Sequence, residues 1–231
     1  MKYKYILFDL DGTLSQSAEG IRYSLEKTLE SLGAEPVDLS DYTKYIGPPL
    51  LDTLKNLCGL PDELCDEGYE LYKNFYAEKG KLLNKPYDGI IPVLKELRSM
   101  GAKLAVCTSK LEATAELVVE ELGLSEYFDV VAGSNRDSTR KDKKDLIPYA
   151  LELLGGDKEN AVMLGDTWYD AKGARECSVD FIACSYGYGS DDAMAEYNPV
   201  AWASTPEEIV DAICLPLGEG AEHSEAEEGQ L

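Results

Sequence analysis

The chain alternates between short apolar segments and longer amphipathic segments along most of its length. Five apolar runs have the length and composition of buried parallel strands, namely Tyr3–Asp9, Lys103–Thr108, Phe128–Ala132, Ala161–Gly165 and Asp180–Ser185. Between the later runs lie segments of helical spacing that stop before a glycine, namely Ile90–Met100, Leu111–Leu122 and Lys144–Leu154. This alternation of strands and helices predicts a parallel sheet with helices on both faces.

The segment from residue 16 to residue 85 has a different pattern. It shows no convincing strand but three helical stretches, Ile21–Leu32, Leu50–Leu57 and Glu63–Glu78. We therefore predict an all-helical insertion directly after the first strand. The insertion is rich in tyrosine, and these side chains either pack the small bundle or line a substrate pocket: Tyr23, Tyr42, Tyr45, Tyr69, Tyr72 and Tyr76.

Acidic residues outnumber basic ones twofold, with 44 Asp and Glu against 22 Lys and Arg and a net charge of −22 at pH 7. This balance argues against nucleic acid or an anionic membrane as a partner. No apolar run approaches the length of a membrane span, and the first residues lack the apolar region of a signal peptide, so we expect a cytoplasmic protein. Residues 218–231 are acidic and aperiodic, which predicts a disordered tail.

The rare residues exclude two kinds of chemistry. The single histidine, His223, lies in the acidic tail, so a Ser-His-Asp or Cys-His system has no credible base. The six cysteines form no Cys-x-x-Cys pair, which argues against a zinc site. The chemistry is therefore left to carboxylates, hydroxyls and lysines, with or without a hard metal ion.

Two predicted strands deliver aspartates to the carboxyl edge of the sheet, where open α/β sheets bind ligands. Asp9 and Asp11 follow the first strand, and Asp166 and Asp170 follow the fourth. Such a negative cluster suits a divalent cation with oxygen ligands, and Mg²⁺ suits a few carboxylates plus a phosphate. The alternative of a plain turn or a helix cap stays open for each aspartate taken alone.

A calcium-binding loop is excluded for the first aspartate pair. The template requires Asp or Asn, Gly and Glu at its fifth, sixth and twelfth positions, where this chain has Thr13, Leu14 and Gly20. Two other segments fit a phosphate instead. Thr108 and Ser109 end the second strand with a hydroxyl and backbone N–H groups, and the basic segment Arg140–Asp145 opens the helix before the fourth strand.

Taken together, these residues resemble the haloacid dehalogenase superfamily, in particular its phosphoglycolate-phosphatase-like subfamily with an α-helical cap. Four motifs follow in order: Asp9–Leu14, Thr108, a lysine of residues 140–144, and Gly165–Asp170. The helical insertion corresponds to the cap of that subfamily. Further similar segments are Ile46–Leu50, Tyr87–Ile90 and Ser185–Gly189.

The resemblance implies a Mg²⁺-dependent phosphatase that hydrolyses a small phosphomonoester, phosphoglycolate-like or a nucleotide, through an aspartyl-phosphate. Asp9 is the implied nucleophile and Asp11 the general acid and base. Lys143 is the favoured motif lysine, with Lys141 and Lys144 as alternatives. The implied phosphate-binding residues are Thr108, Ser109 and Gly12. The implied metal ligands are Asp9, Asp11 through its backbone carbonyl, Asp166 and Asp170.

The expected organisation is an α/β, Rossmann-like parallel-sheet core formed by residues 1–15 and 86–215, a helical cap of residues 16–85, and an acidic tail of residues 216–231. The expected partner is a small phosphorylated metabolite, and the chain is expected to be a monomer or a homodimer. Two alternatives remain: a β-phosphoglucomutase-like phosphomutase and a non-catalytic binding member. The second is disfavoured because every acid and base that the mechanism needs is present.

Overall fold

The structure is a computed structural model that describes residues 2–35, 37–39, 41–137 and 139–214. The predicted acidic tail, with His223, lies outside the described residues. Among the helices of the described ranges, none has the length and apolar character that crossing a membrane requires.

The centre of the described structure is a parallel sheet whose strand order is β3-β2-β1-β4-β5-β6. The strands are β1 Tyr5–Phe8, β2 Lys103–Leu111, β3 Val130–Ser134, β4 Ala161–Gly165, β5 Asp180–Cys184 and β6 Ala201–Ala203. The five predicted strands are confirmed, although β1 is shorter than expected. The sixth, β6, was not predicted because three residues are too short to show a period.

The order of the strands reverses between β1 and β4, the two central strands. Phe8 pairs with Leu164 at the ends of these strands, and the N–H of Asp9 donates to the carbonyl of Leu164 at 2.9 Å. The residues that follow β1 and β4 therefore emerge side by side. This is the position at which doubly wound sheets bind their ligands.

Nine α-helices surround the sheet and fill the insertion in the described ranges. They are α1 Ala18–Leu32, α2 Leu50–Asp52, α3 Asp62–Glu78, α4 Ile90–Ser99, α5 Glu112–Glu121, α6 Lys143–Leu154, α7 Trp168–Cys177, α8 Asp191–Ala195 and α9 Glu208–Cys214. Some predicted boundaries were wrong: Leu111 belongs to β2 and not to the following helix, and β3 begins at Val130 and not at Phe128. The helix predicted over Leu50–Leu57 is confirmed, as one α-helical turn that continues as a π-helix over Thr53–Leu57.

Alternate residues of the strands point to opposite faces of the sheet. Ile6 and Phe8 of β1 pack in one hydrophobic cluster with α4, α5 and α9, whereas Tyr5 and Leu7 pack in a second cluster with α6 and α7. Apolar helices thus cover both faces, which explains why the strands are apolar throughout. The predicted α/β, Rossmann-like core is confirmed.

The helical insertion leaves and rejoins the core through two adjacent segments. Ser15 forms an antiparallel bridge with Pro86, and the N–H of Gln16 donates to the carbonyl of Lys85 at 2.8 Å. Inside the insertion, α1 packs on α3 and on the turn Gly80–Leu83. The paired connection allows the helices to act as a unit. The predicted limits of the cap, residues 16 and 85, stay a prediction.

The close packing of α6 and α7 depends on Gly173. A Cβ atom at this position would overlap the Cβ of Lys143 and lie 3.1 Å from its backbone carbon atoms. The two helices can therefore approach only because residue 173 has no side chain. Lys143 is the first residue of α6, so this contact also fixes where its side chain begins.

We expect Gly173→Ala to lower the free energy of unfolding by about 1–3 kcal/mol, because the added methyl group meets backbone that cannot move freely. The measurement is urea denaturation. Gly68→Ala is the matched control, since Gly68 also lies within a helix but its nearest neighbours are leucine methyl groups at 3.2–3.5 Å. Equal effects of the two substitutions would contradict this account.

Candidate active site

The carboxyl ends of β1 and β4, the last part of β2 and the start of α6 converge on one group of charged side chains. The exposed fraction is 4% for Asp9 and Lys143, 1% for Asp170 and 0% for Asp166. Charges buried to this degree are costly unless they are paired. The arrangement of these four residues therefore decides what the site can do.

Lys143 lies at the centre of the group. Its Nζ is 2.6 Å from Oδ1 of Asp9 and 2.7 Å from Oδ1 of Asp170, and it donates to the carbonyl of Cys107 at 2.6 Å. Burial lowers the pKa of Lys143, but the charges of Asp170 and Asp9 outweigh burial and hold that pKa above its ordinary value. The ammonium is therefore charged.

The three candidate motif lysines occupy different surroundings. Lys143 contacts Asp9, whereas Lys141 pairs with Asp52 of the insertion at 2.8 Å and Lys144 is exposed. The geometry thus favours Lys143 for the role that the resemblance implies, and the role itself stays a prediction. Arg136 and Lys141 bridge from the loop between β3 and α6 to the insertion, as Arg136 pairs with Glu70 at 2.6 Å.

Asp9, Asp166 and Asp170 can each direct a carboxylate oxygen to a common point, with the three oxygens within 4.8 Å of one another. Burial raises the pKa of Asp9 to about 7, where Asp170 and Asp11 add to burial and Lys143 opposes it. Burial, Asp170 and Asp9 raise the pKa of Asp166 well above its usual range. One lysine leaves these three carboxylates with excess negative charge, and their oxygens fit a hard divalent cation.

Hydrogen bonds orient the two carboxylates that follow β4. Asp166 accepts from the Thr13 hydroxyl at 3.1 Å and from the N–H of Tyr188 at 2.8 Å. Asp170 accepts from the N–H and the hydroxyl of Thr167 at 3.1 and 2.7 Å, as part of a capping box at the start of α7. Asp170 is thus both a helix-capping residue and a member of the carboxylate cluster.

Gly12 lies against Asp166. Its φ is +95°, and a Cβ atom at this position would overlap the Asp166 carboxylate. Both facts require glycine, because L-residues with a side chain rarely adopt such a φ. Gly12 was expected to bind phosphate, which stays a prediction; what the structure shows is that its lack of a side chain makes room for Asp166.

Asp11 faces a different lysine from Asp9. Its Oδ2 is 2.9 Å from Nζ of Lys110, and its buried Oδ1 has no hydrogen-bond partner among the described residues. The Asp11 carboxylate therefore lies outside the group of three, and a contribution of its backbone carbonyl to metal binding stays a prediction. The N–H of Lys110 donates to the hydroxyl oxygen of Thr108 at 3.2 Å, which joins this pair to the end of β2.

These residues open onto a pocket between the sheet edge and the insertion. Asp9, Asp11, Thr108 and Ser109 line it from the core. The insertion contributes mainly apolar and aromatic side chains: Ile21, Leu25, Tyr45, Ile46, Pro48, Pro49, Leu50, Tyr69, Tyr72 and Tyr76. The tyrosines that line the pocket from the insertion are Tyr45, Tyr69, Tyr72 and Tyr76.

Three residues that contact the predicted aspartates were not predicted as site residues, namely Thr13, Lys110 and Tyr188. The sequence position of Lys110 could have indicated a role, since it follows directly after Thr108 and Ser109 at the end of a strand. The sequence gives no such indication for Tyr188, because its contact with Asp166 is made by the backbone N–H and it lies in the loop after β5.

Residues 6–184 match the family model of haloacid dehalogenase-like hydrolases, which is most of the chain. The chain belongs to the haloacid dehalogenase-like hydrolase family. The predicted family resemblance is therefore confirmed, and the aspartates after β1 and β4 of this hydrolase lie within the matched region.

Known proteins resemble this hydrolase over most of its length. Tyrosine-protein kinase PtkA of Mycobacterium tuberculosis is 37% identical over 211 residues, which cover 90% of this chain and 72% of PtkA. Phosphoglycolate phosphatase of Aquifex aeolicus is 36% identical over 185 residues, covering 80% of this chain and 86% of the relative. The crystal structure of a predicted phosphatase from Clostridium acetobutylicum superposes with a TM-score of 0.86 at 34% identity, covering 92% of this chain and 99% of that one.

We expect Lys143→Met to destabilise the metal-free hydrolase by about 3–5 kcal/mol, because it leaves two buried carboxylates without their cation. Lys141→Met is the matched control: its ion pair with Asp52 is about one-third exposed on both sides, and such a pair contributes at most about 1 kcal/mol. Urea denaturation in EDTA measures both. A Lys143 variant as stable as the Lys141 variant would show that the buried pairing contributes little.

Proposed function

We propose that this protein is a Mg²⁺-dependent phosphatase that hydrolyses a small phosphomonoester through an aspartyl-phosphate on Asp9. The observation that carries the proposal is that Asp9 and Asp11 line one pocket but are held by different lysines, Lys143 for Asp9 and Lys110 for Asp11. Two neighbouring carboxylates in different surroundings can take different roles, one as nucleophile and the other as acid and base.

In the first step, a carboxylate oxygen of Asp9 attacks phosphorus and forms an acyl-phosphate bond. The bond between phosphorus and the ester oxygen breaks, and Asp11 gives that oxygen its proton, so the alcohol leaves neutral. Lys143 keeps the Asp9 carboxylate in place through its contact at 2.6 Å. Thr108 and Ser109, which line the same pocket, bind the phosphoryl oxygens in this proposal.

In the second step, a water molecule attacks phosphorus, and the acyl-phosphate bond to Asp9 breaks. Asp11, now ionised, takes a proton from the water, and inorganic phosphate leaves. Both steps place negative charge beside buried carboxylates, so the protein contributes chiefly by positioning groups and offsetting charge.

Mg²⁺ would be held by the carboxylates of Asp9, Asp166 and Asp170, whose oxygens converge. When bound, it offsets the charge of these carboxylates and of the phosphoryl group. Thr13 and the N–H of Tyr188 keep Asp166 oriented, and Thr167 does the same for Asp170. These three carboxylates supply oxygen donors only, which suits Mg²⁺ better than a softer metal.

The apolar and aromatic side of the pocket suits a small substrate whose leaving group extends towards the insertion. We propose a small phosphorylated metabolite, either phosphoglycolate-like, as the name of the Aquifex aeolicus relative suggests, or a nucleotide.

The proposal predicts phosphate release from a panel of phosphomonoesters in Mg²⁺, with loss by at least about 100-fold in Asp9→Asn and in Asp11→Asn because each removes a reacting group. Circular dichroism and the melting temperature control for folding. An Asp9→Asn variant that keeps most of the turnover would exclude the nucleophile assignment. Undiminished release in EDTA would exclude the metal.

A second readout tests the metal site without turnover. Mg²⁺ should raise the melting temperature of the protein, because binding to the folded state alone stabilises it. In Asp166→Asn this shift should be lost, while the metal-free variant should be at least as stable as the wild type, because a source of repulsion is gone. An unchanged Mg²⁺ shift would place the ion elsewhere.

The same aspartate pair could pass the phosphoryl group to three kinds of acceptor. These are water, a sugar hydroxyl as in a mutase, and a protein tyrosine, as the name of the relative PtkA states for that protein. We expect water to be the acceptor. The measurement follows label from β-glucose 1-phosphate with a trace of the bisphosphate, and separately from ATP with a tyrosine peptide. Glucose 6-phosphate or labelled peptide forming faster than inorganic phosphate would contradict hydrolysis.

A further inference from the structure

Lys110, the lysine that pairs with Asp11, lines the pocket and contacts the insertion as well as the core. The Lys110 side chain is 11% exposed, and its Nζ lies 2.9 Å from Oδ2 of Asp11, whose side chain is 12% exposed. Lys110 follows Thr108 and Ser109, so the end of β2 presents a hydroxyl, an amide and an ammonium to one pocket. An ion pair shielded from water to this degree restricts both side chains far more than a surface pair does.

The other side of the Lys110 ammonium faces the insertion. Its Nζ is 4.6 Å from the centre of the Tyr76 ring, which is within the range of a cation–π interaction. Tyr76 lies on α3, is 2% exposed and stacks on Tyr72 with ring centres 5.9 Å apart. Lys110 therefore spans the interface, with a carboxylate of the core on one side and an aromatic pair of the insertion on the other.

The two carboxylate oxygens of Asp11 differ in their surroundings, since one is paired and the other has no partner in the part of the chain that the structure describes. Oδ2 is bound by Lys110, whereas the buried Oδ1 has no hydrogen-bond partner among the described residues. When one oxygen of an aspartate carboxylate is held by an ion pair, rotation about the Cβ–Cγ bond is restricted. The other oxygen therefore keeps a fixed direction. General acid and base catalysis needs such a direction, because the proton must pass over hydrogen-bond distance.

We propose that Lys110 is a positioning residue that fixes the Asp11 carboxylate for proton transfer, and that the Tyr76 ring holds Lys110 in this position when α3 covers the pocket. This inference rests on the proposed function, since it concerns the residue that serves there as acid and base. It assigns the insertion a part in assembling the site, in addition to covering it. An open insertion would leave Lys110 without its aromatic neighbour and Asp11 less restrained.

The first test compares Lys110→Met and Lys110→Arg in steady-state turnover of the best phosphomonoester of the panel. We expect Lys110→Met to lower kcat by about 10–100-fold, a part of what a general acid and base contributes, with KM changed less than about threefold. Lys110→Arg should recover part of kcat, because it keeps the charge beside Asp11. A rise in KM at constant kcat would instead show that Lys110 binds the substrate phosphate, and would overturn the proposal.

The second test asks whether Tyr76 acts through Lys110. Tyr76→Leu removes the ring and should lower kcat about 3–10-fold, as expected for the loss of one cation–π contact. Tyr76→Phe keeps the ring and should lower kcat less than Tyr76→Leu does. In the Lys110→Met background, Tyr76→Leu should have no further effect on kcat. Independent, additive losses from the two substitutions would contradict the coupling.

Lys79→Met is the matched control, since Lys79 lies 4.7 Å from the ring of Tyr23, away from the pocket lining. It should leave kcat unchanged. The two proposals fail in distinguishable ways. A wild-type protein that releases phosphate only with Asp9 intact, but whose Lys110→Met variant keeps full kcat, would refute the positioning role alone. A wild-type protein that releases no phosphate from any ester would refute the proposed function and this inference with it.

Discussion

The buried ammonium of Lys143 is the interaction on which the rest of the site depends. It lies between Asp9 and Asp170 and also reaches the carbonyl of Cys107, so it ties together β1, β2, α6 and α7 at one point. A charge in this position is stable only if the carboxylates stay close, and the carboxylates can stay close only if a cation lies among them. Packing and electrostatics therefore fix the same geometry.

Lys143 neutralises only part of the negative charge of this group, and the remaining charge favours the binding of a cation. Lys143 offsets one of three buried carboxylates, and the pKa of Asp9 and that of Asp166 are raised because burial and mutual repulsion disfavour their ionised forms. Such excess negative charge favours the binding of a cation, and it is partly offset by one lysine beside Asp9 and another beside Asp11. The repulsion among the buried carboxylates destabilises the folded state at this sheet edge. The apolar clusters on both faces of the sheet offset that destabilisation.

The insertion decides what the core can act on. Its contacts with the core at the pocket include ion pairs, Arg136 with Glu70 and Lys141 with Asp52, and the contact of Lys110 with Tyr76. The proteins to which this chain is similar include one named phosphoglycolate phosphatase and one named tyrosine-protein kinase. Since the aspartates of the candidate site belong to the core, we expect differences in acceptor and substrate to arise where the insertion meets the core.

The sequence by itself determined the strands, the helical insertion and the aspartates of the site, because apolar runs and strand-end acids are local patterns. It did not determine β6, which is too short for a period, or the π-helical geometry of Thr53–Leu57, where the sequence predicted only a helix. For the motif lysine, the sequence favoured Lys143 but left Lys141 and Lys144 as alternatives. Only the tertiary structure shows that Lys143 is the lysine buried beside Asp9, because a burial partner distant in the chain is not a local pattern. Gly173 packs against Lys143 at the start of α6 and so helps to fix this position.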